Sequence, residues 1–232
     1  MADAFRVELR GGRRIFAKTH PNPPADFFGT EAEGLRWLRR SDTVPVPEVL
    51  AVSDDDPAYL ALSWIESGTP TAHTESRFGR QLAALHRSGA PHFGRADRRT
   101  TGSLALPNEP CTSWSIFYAS QRLLPLARRA RDRGSLPQRT VEGIERLAGR
   151  LDSLGVPVEP PARLHGDLWA GNRVVGEGGV SWLLDPAAHG GHREFDLAMM
   201  QLFGGFDSDV FGSYPVSYTH LTLPTINGEW RC

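Results

Sequence analysis

Two short segments, HGDLWAGN (165–172) and LDP (184–186), decide how this chain is interpreted. Together they place two carboxylates and one carboxamide at fixed intervals. Asn172 lies five residues after Asp167, and Asp185 lies eighteen residues after Asp167. An isolated Asp-x-x-x-x-Asn is most often a surface turn, so a functional interpretation depends on the residues around it.

The residues between these segments predict a β-hairpin. Segments 173–175 and 180–184 are typical of two short strands, and the glycine-rich stretch 176–179 is typical of their turn. Such a hairpin would return Asp185 to the side of Asn172. The three polar groups are therefore expected to share one site.

This combination of groups suits phosphoryl transfer, in which the protein mainly positions a hydroxyl and neutralises phosphate charge. Asp167 is the predicted catalytic base, and Asn172 and Asp185 are the predicted Mg²⁺ ligands, because Mg²⁺ prefers hard oxygen donors. The base and the metal-binding Asn of protein kinases have the same five-residue spacing. The pattern therefore favours a phosphotransferase over a surface turn.

Composition sets wider limits on the function. The 232 residues, 40% of them hydrophobic, suit one or two globular domains. A formal net charge of -1 gives no bulk electrostatic reason to expect nucleic acid or an anionic membrane as partner. We find no apolar run of membrane-spanning length and no secretory leader. Two scattered cysteines, Cys111 and Cys232, do not form a disulfide framework, so a cytoplasmic location is expected.

Hydrophobic periodicity predicts an α+β chain with two lobes. In a small β-rich N-terminal lobe (1–66), a helix should begin at a capping box of Thr30 and Glu33. A mainly helical C-terminal lobe (67–215) follows, in which Pro125 should kink or divide a helix. The predicted strands of the first lobe span 5–10, 14–19, 48–52 and 59–65, and the predicted helices of the second begin near 74, 113 and 137. The arginine-rich run 128–133 is interpreted as a solvated helix face.

Lys18 is the only lysine of the chain and ends a predicted strand. A compact ammonium at that place suits a phosphate ligand, with Glu31 as its ion-pair partner. Lys18 as a surface charge, Glu31 as a first-turn carboxylate and Glu33 as the partner remain alternatives.

Several segments then resemble one family. HGDLWAGN, WLLDPAAHGGHREFDLAMMQLFGGF (182–206), FAK (16–18), EAEGL (31–35), LAALH (82–86) and WSIFY (114–118) are similar, in order, to the fructosamine kinase (ketosamine kinase) family of aminoglycoside-phosphotransferase-like kinases. Trp169 is the residue that distinguishes this family from its relatives. The resemblance implies a bilobal protein-kinase-like fold and ATP-dependent phosphorylation of a sugar hydroxyl, O3, on a ketoamine or a glycated protein, leading to deglycation.

The resemblance also implies roles for individual residues. The backbone of Ser63, Trp64 and Ile65 would contact adenine, and Trp169, His192 and Glu194 would contact substrate. Trp169 could equally fill a core. His165 is expected to brace the loop rather than act in chemistry, and Asp196 to anchor or cap the helix that begins nearby.

Two departures from the family pattern lead us to expect a chain that is truncated at both ends. The glycine-containing phosphate loop before Lys18 is short or missing, and residues 216–232 are interpreted as a non-native tail. Another phosphotransferase related to aminoglycoside or choline kinases, and a non-catalytic nucleotide-binding fragment, are the alternatives. The oligomeric state and the preferred ketosamine stay open.

Overall fold

The computed structural model describes residues 2–96, 99 and 104–214, and they form the predicted α+β fold, β-rich first and mainly helical after it. The strands are β1 Asp3–Glu8, β2 Arg14–Thr19, β3 Val49–Ser53, β4 Tyr59–Ser63, β5 Ala162–Leu164, β6 Arg173–Val175, β7 Ser181–Leu183 and β8 His189–Gly191. The helices are α1 Phe27–Arg39, α2 Thr74–Arg87, α3 Trp114–Phe117, α4 Leu124–Asp132, α5 Gln138–Ala148, α6 Glu194–Phe203 and α7 Ser208–Ser213. The predicted tail, 216–232, lies outside the described residues, and the predicted boundary at residue 66 stays a prediction.

The first lobe is built on a four-stranded antiparallel sheet in the order β1-β2-β4-β3. The hairpin predicted around Gly11-Gly12 is confirmed and pairs β1 with β2. Lys18 faces Ala4 on one side and Leu60 on the other, so it lies on an inner strand. Lys18 is the one buried residue of β2 and is only 8% exposed.

Helix α1 begins three residues before Thr30, so the predicted capping box is wrong. Phe28 is fully buried, so its packing places the residues before Thr30 in the helix. The polar pattern of Thr30 and Glu33 had suggested a later start. The residue before the helix, Asp26, has left-handed φ and makes no side-chain cap. The cap comes from Asp54 on the loop between β3 and β4, whose carboxylate accepts the backbone N–H groups of Phe28 and Gly29 at 2.8 and 2.9 Å.

The helices of the second lobe follow the predicted pattern. Between α3 and α4 the chain forms a π-helical turn, Tyr118–Leu123, just before Pro125. Proline cannot donate an intrahelical hydrogen bond, which accounts for the predicted division at this place. The short antiparallel pairs β5-β8 and β6-β7 lie among these helices, and the second of them is the predicted hairpin. Among the described residues, no helix is both long and apolar enough to cross a bilayer.

The buried core runs through both lobes. Its cluster includes Leu35 of α1 and Leu60 of β4 as well as Leu82 of α2 and Leu183 of β7. The lobes also meet through the backbone, because Leu183 donates its N–H to the carbonyl oxygen of Pro45 at 3.0 Å. The hairpin of the second lobe is thereby fixed against the first.

Candidate active site

The segment 165–172 forms the loop between β5 and β6 and carries Asp167 and Asn172. The Asn172 side-chain amide donates to the Asp167 backbone oxygen at 2.9 Å and to its carboxylate at 3.1 Å. The five-residue spacing therefore closes a small ring in which the amide holds the carboxylate. The two Asn172 amide protons are used within the loop, so its side-chain oxygen remains the group suited to a cation.

Asp196, in the first turn of α6, holds this loop from behind. It is fully buried, and its two carboxylate oxygens accept the backbone N–H groups of His165 at 2.8 Å and Gly166 at 2.9 Å. His86 of α2 adds a third contact at 3.2 Å. Burial alone would raise the pKa of Asp196, but these hydrogen bonds and the nearby imidazoles outweigh it and lower the pKa. Asp196 is expected to anchor or cap the helix that begins nearby, but α6 has no side-chain cap, and Asp196 instead ties the helix to the loop.

His165 braces the loop, as predicted. Its Nε2 lies 2.8 Å from the carbonyl oxygen of Leu184, and its Nδ1 accepts the backbone N–H of Asp167 at 3.3 Å. An accepting Nδ1 requires the neutral tautomer protonated on Nε2. Complete burial lowers the pKa of His165 and keeps it neutral, against the opposing influence of Asp196. His165 thus joins the loop to the end of the hairpin.

The hairpin returns Asp185 to the loop, as predicted. Leu184 donates its N–H to the backbone oxygen of Asn172 at 2.9 Å, directly before Asp185. Asp185 has a φ of 52°, in the left-handed region that non-glycine residues seldom occupy. Such backbone strain is found most often at functional sites.

Lys18 reaches this site from the sheet. Its ammonium donates to Glu31 at 2.8 Å and also contacts the Asp185 carboxylate. The predicted pair of Lys18 and Glu31 is therefore formed, while Glu33 instead pairs with Arg36 one helical turn away. A single lysine joins the sheet, helix α1 and the hairpin.

Burial and charge shift the pKa values of these groups. Desolvation opposes the charged form of Lys18, but Glu31 and Asp185 outweigh it and raise the lysine pKa. Burial raises the pKa of Glu31 to about 7, although Lys18 acts against this shift. Burial also raises the pKa of Asp167, while His165 and Asn172 partly oppose the rise. A raised pKa makes Asp167 a stronger proton acceptor in its ionised form.

The donor set fits a magnesium ion bound together with phosphates. Mg²⁺ is usually held by one or two carboxylates, with waters and substrate phosphates completing its octahedron. Asp185 and the free oxygen of Asn172 supply such a partial set, and no cluster of three or more His, Cys, Asp or Glu side chains occurs among the described residues. The residues therefore fit a cation that arrives with its nucleotide.

The segment from Ser63 to Ile65 begins at the last residue of β4. The Ser63 N–H donates to the carbonyl oxygen of Glu48, and the Glu48 N–H donates to the Ser63 hydroxyl oxygen, both at 2.9 Å. Trp64 stacks beneath the Arg14 guanidinium, and its indole nitrogen is buried without a partner within the described part of the chain. The adenine role of this segment stays a prediction.

The three predicted substrate residues lie in different surroundings. Trp169 is 43% exposed, and its ring covers Gly171, where the missing side chain leaves room for it. His192 is buried, with Nε2 lying 3.3 Å from the carbonyl oxygen of Pro157. Glu194 is half-buried at the start of α6. Only Trp169 belongs to the catalytic loop, and contact with substrate stays a prediction for all three.

Comparison with known proteins identifies the family. A family model described as fructosamine kinase matches residues 1–222. The chain belongs to the fructosamine kinase family. A probable ketoamine kinase of Synechocystis sp. is 35% identical over 209 residues, which are 88% of this chain and 69% of that relative.

Solved structures agree with this membership. A crystal structure from Thermobifida fusca, assigned as a fructosamine-3-kinase, superimposes with a TM-score of 0.83 at 44% identity, over 92% of this chain and 74% of that one. An aminoglycoside phosphotransferase solved with ADP and hygromycin B reaches 0.59 at 14% identity, over 91% of this chain and 75% of that one, which shows a shared fold alone. This fructosamine kinase family member thus has the architecture of a kinase-like phosphotransferase.

Sequence reasoning missed one residue that fixes the site. Arg173, next to Asn172, forms a two-point ion pair with Glu75 at 2.8 Å and lies over the rings of Phe78 and Phe206. The two rings stack on each other with centroids 5.9 Å apart, and the guanidinium lies beside the pair. The alternation of a three-residue strand gives no signal for this contact, and the spacing of Phe78, Leu82 and Leu85 predicted the helix but not the cation.

Proposed function

We propose that this protein transfers the γ-phosphoryl group of ATP, with Mg²⁺, to a sugar hydroxyl of a ketoamine. The observation that supports the proposal best is the convergence of Lys18, Asp167, Asn172 and Asp185 from three separate elements, within a chain of the fructosamine kinase family. A protein that only bound nucleotide would need no base beside the metal ligands. Trp169, the residue that distinguishes the family, stands exposed two positions after that base.

In the proposed reaction the sugar oxygen attacks the γ-phosphorus, and the bond from phosphorus to the bridging oxygen of ADP breaks. Asp167 accepts the hydroxyl proton, for which its raised pKa suits it. The amide of Asn172 keeps the carboxylate aimed while the proton moves. Asn172 and Asp185 would hold Mg²⁺, which when bound neutralises charge on the transferring phosphoryl group.

Lys18 has to exchange partners when nucleotide binds. Its ammonium contacts Asp185 directly, whereas the proposed complex needs Asp185 on the metal and Lys18 on phosphate. Glu31 can keep its 2.8 Å contact through this change and so hold the lysine in place. The backbone from Ser63 to Ile65 would receive the adenine, and His192 and Glu194 remain proposed contacts for the rest of the substrate.

The finer parts of the proposal concern position and biology. We place the phosphate on O3 of the sugar, which would destabilise the adduct and lead to deglycation of a metabolite or a protein. A cytoplasmic location goes with this role, and Cys111 is a free thiol, as expected for a reducing compartment. Phosphorylation of an aminoglycoside or a choline-like alcohol is the second candidate, favoured only by the shared fold.

The test is ATP consumption with a panel of fructosyl amines, aminoglycosides and choline, followed by NMR of the product to locate the phosphate. We expect turnover on a fructosyl amine that Asp167→Asn lowers by at least about 100-fold, in the range typical of a lost general base. Asp209→Asn makes the same chemical change at an exposed residue of α7 and should leave turnover unchanged. Turnover on other alcohols but on no ketoamine would contradict the proposal.

A further inference from the structure

The loop between β3 and β4 makes a contact that the proposed chemistry does not use. Asp54 accepts the N–H groups of Phe28 and Gly29, one with each carboxylate oxygen, at 2.8 and 2.9 Å. These donors belong to the first turn of α1, 25 or more residues earlier in the chain. A residue remote in sequence thus satisfies N–H groups that a helix leaves unpaired at its start.

The first turn of α1 has no cap of its own. Asp26 occupies the N-cap position with a φ of 57°, and its side chain makes no capping hydrogen bond. A local cap needs an extended backbone to aim its oxygen at the following N–H groups, and the left-handed conformation prevents this. The turn is therefore held by Asp54.

Gly29 shows how closely the two parts fit. A Cβ atom at this position would lie 2.6 Å from a carboxylate oxygen of Asp54. A side chain here would push the carboxylate away from both N–H groups. Glycine within a helix is otherwise unfavourable, and the close approach of Asp54 explains why glycine occupies position 29.

Glu31 lies two residues beyond Gly29, directly after this capped turn, and its carboxylate holds Lys18. Phe28, Leu35 and Leu38 are fully buried and keep α1 in the core, so loss of the Asp54 contacts would act on the backbone between Phe28 and Glu31 and would not release the helix. The position of the lysine thus depends on the hydrogen bonds at the start of the helix.

We infer that Asp54 is a positioning residue for the phosphate site, acting through the first turn of α1 and Glu31 on Lys18. The inference rests on the proposed function for the meaning of that site, because only a nucleotide site gives the lysine a phosphate to hold. The hydrogen bonds of Asp54 run to the backbone of α1, so its proposed action on the lysine is indirect. Replacing Asp54 should therefore change the affinity for nucleotide and leave the affinity for ketoamine unchanged.

The first experiment compares the affinity of the 232-residue chain for Mg²⁺ and a non-hydrolysable ATP analogue between the parent and five variants: Asp54→Ala, Asp54→Asn, Asp55→Ala, Glu31→Gln and the double variant of Asp54→Ala with Glu31→Gln. Loss of a cap predicts roughly threefold to tenfold weaker binding for Asp54→Ala. Asp54→Asn, which keeps one acceptor oxygen, should fall between Asp54→Ala and the parent. Asp55→Ala is the matched control, because it removes the same charge from the same loop. The Asp55 side chain is exposed, and among the described residues only its backbone atoms make hydrogen bonds. A cap that acts through Glu31 also predicts that Asp54→Ala loses most of its effect in a Glu31→Gln background.

Equal effects of Asp54→Ala in the parent and in Glu31→Gln would overturn the inference, as would an Asp54→Ala affinity equal to that of Asp55→Ala. A second measurement needs no nucleotide: acylation of Lys18, the single lysine, should be faster in Asp54→Ala than in Asp55→Ala at equal global stability. Equal rates would also count against it. If the parent binds nucleotide but phosphorylates no ketoamine, the proposed function fails while the inference stands.

Discussion

Replacing Asp196 by asparagine tests the support of the catalytic loop most directly. Both carboxylate oxygens of Asp196 accept backbone N–H groups, at His165 and Gly166, and the side chain is fully buried. Asparagine offers one oxygen and one amide. One loop N–H would then face another donor, and the remaining hydrogen bond would lose its charge.

The magnitude follows from these two changes. A buried donor without an acceptor costs about 1 to 3 kcal/mol, and a neutral bond in place of a charge-assisted one costs about 1 kcal/mol more. We therefore expect Asp196→Asn to lower the free energy of unfolding by about 2 to 4 kcal/mol, a large part of the roughly 5 to 15 kcal/mol of an ordinary domain. Turnover should fall by about 100-fold, as expected when a reacting group moves by about 1 Å.

Urea unfolding followed by far-UV circular dichroism measures the first effect, and turnover of ATP with a ketoamine measures the second. Nucleotide affinity should fall less than turnover, because Lys18 and Glu31 belong to other elements while Asn172 ends the disturbed loop. Asp209→Asn, exposed on α7, is the control for the chemical change. A variant with the urea midpoint and turnover of Asp209→Asn would refute the reasoning that Asp196 holds the loop.

Two further predictions concern the surroundings of this loop. Burial, and after it the charge of Arg122, lowers the pKa of His189 to about 3 in the folded protein. As the pH falls, the unfolded chain therefore binds a proton at this histidine before the folded chain does. Stability is therefore complete above about pH 6.5 and falls by up to about 1.4 kcal/mol per pH unit below it. Unfolding free energies at several pH values should show a shallower slope for His189→Gln, and an unchanged slope would contradict the assignment. Gly166→Ala places a side chain at a φ of 82° against the carbonyl oxygen of Ala187, whereas Gly134→Ala, with a φ of 70°, meets nothing within 4 Å. We expect Gly166→Ala to lower the unfolding free energy by at least about 1 kcal/mol more than Gly134→Ala, since only the first adds overpacking to backbone strain, and equal losses in urea would show that the clash is relieved.

The local parts of the fold could be predicted from the sequence because their signals are local. Glycine residues and the alternation of apolar and polar side chains predict the turn at Gly11-Gly12 and the hairpin after Asn172, and both are present. The proximity of Asp167, Asn172 and Asp185 followed from that hairpin. Strand ends differed by one or two residues, because pairing and not composition decides where a strand stops.

Contacts that join distant segments could not be predicted in this way. The capping box at Thr30 was wrong because hydrophobic burial of Phe28 and a carboxylate from another loop decided the start of α1. The role of Asp196 was only partly foreseen, since a helix-start carboxylate gives no sign of which N–H groups it will meet. The ion pair of Arg173 with Glu75 joins residues more than 90 positions apart in the chain.

The single lysine has a consequence for the protein itself. Ketoamines form when an unprotonated amine attacks the carbonyl group of a reducing sugar, and in most proteins the exposed lysines are the sites of this damage. Here every other positively charged side chain is arginine or histidine, while Lys18 is buried and held protonated between two carboxylates. The side chains of the described residues therefore offer a sugar almost no amine to react with. Over these segments, a protein proposed to act on glycated amines is a poor target for the same modification.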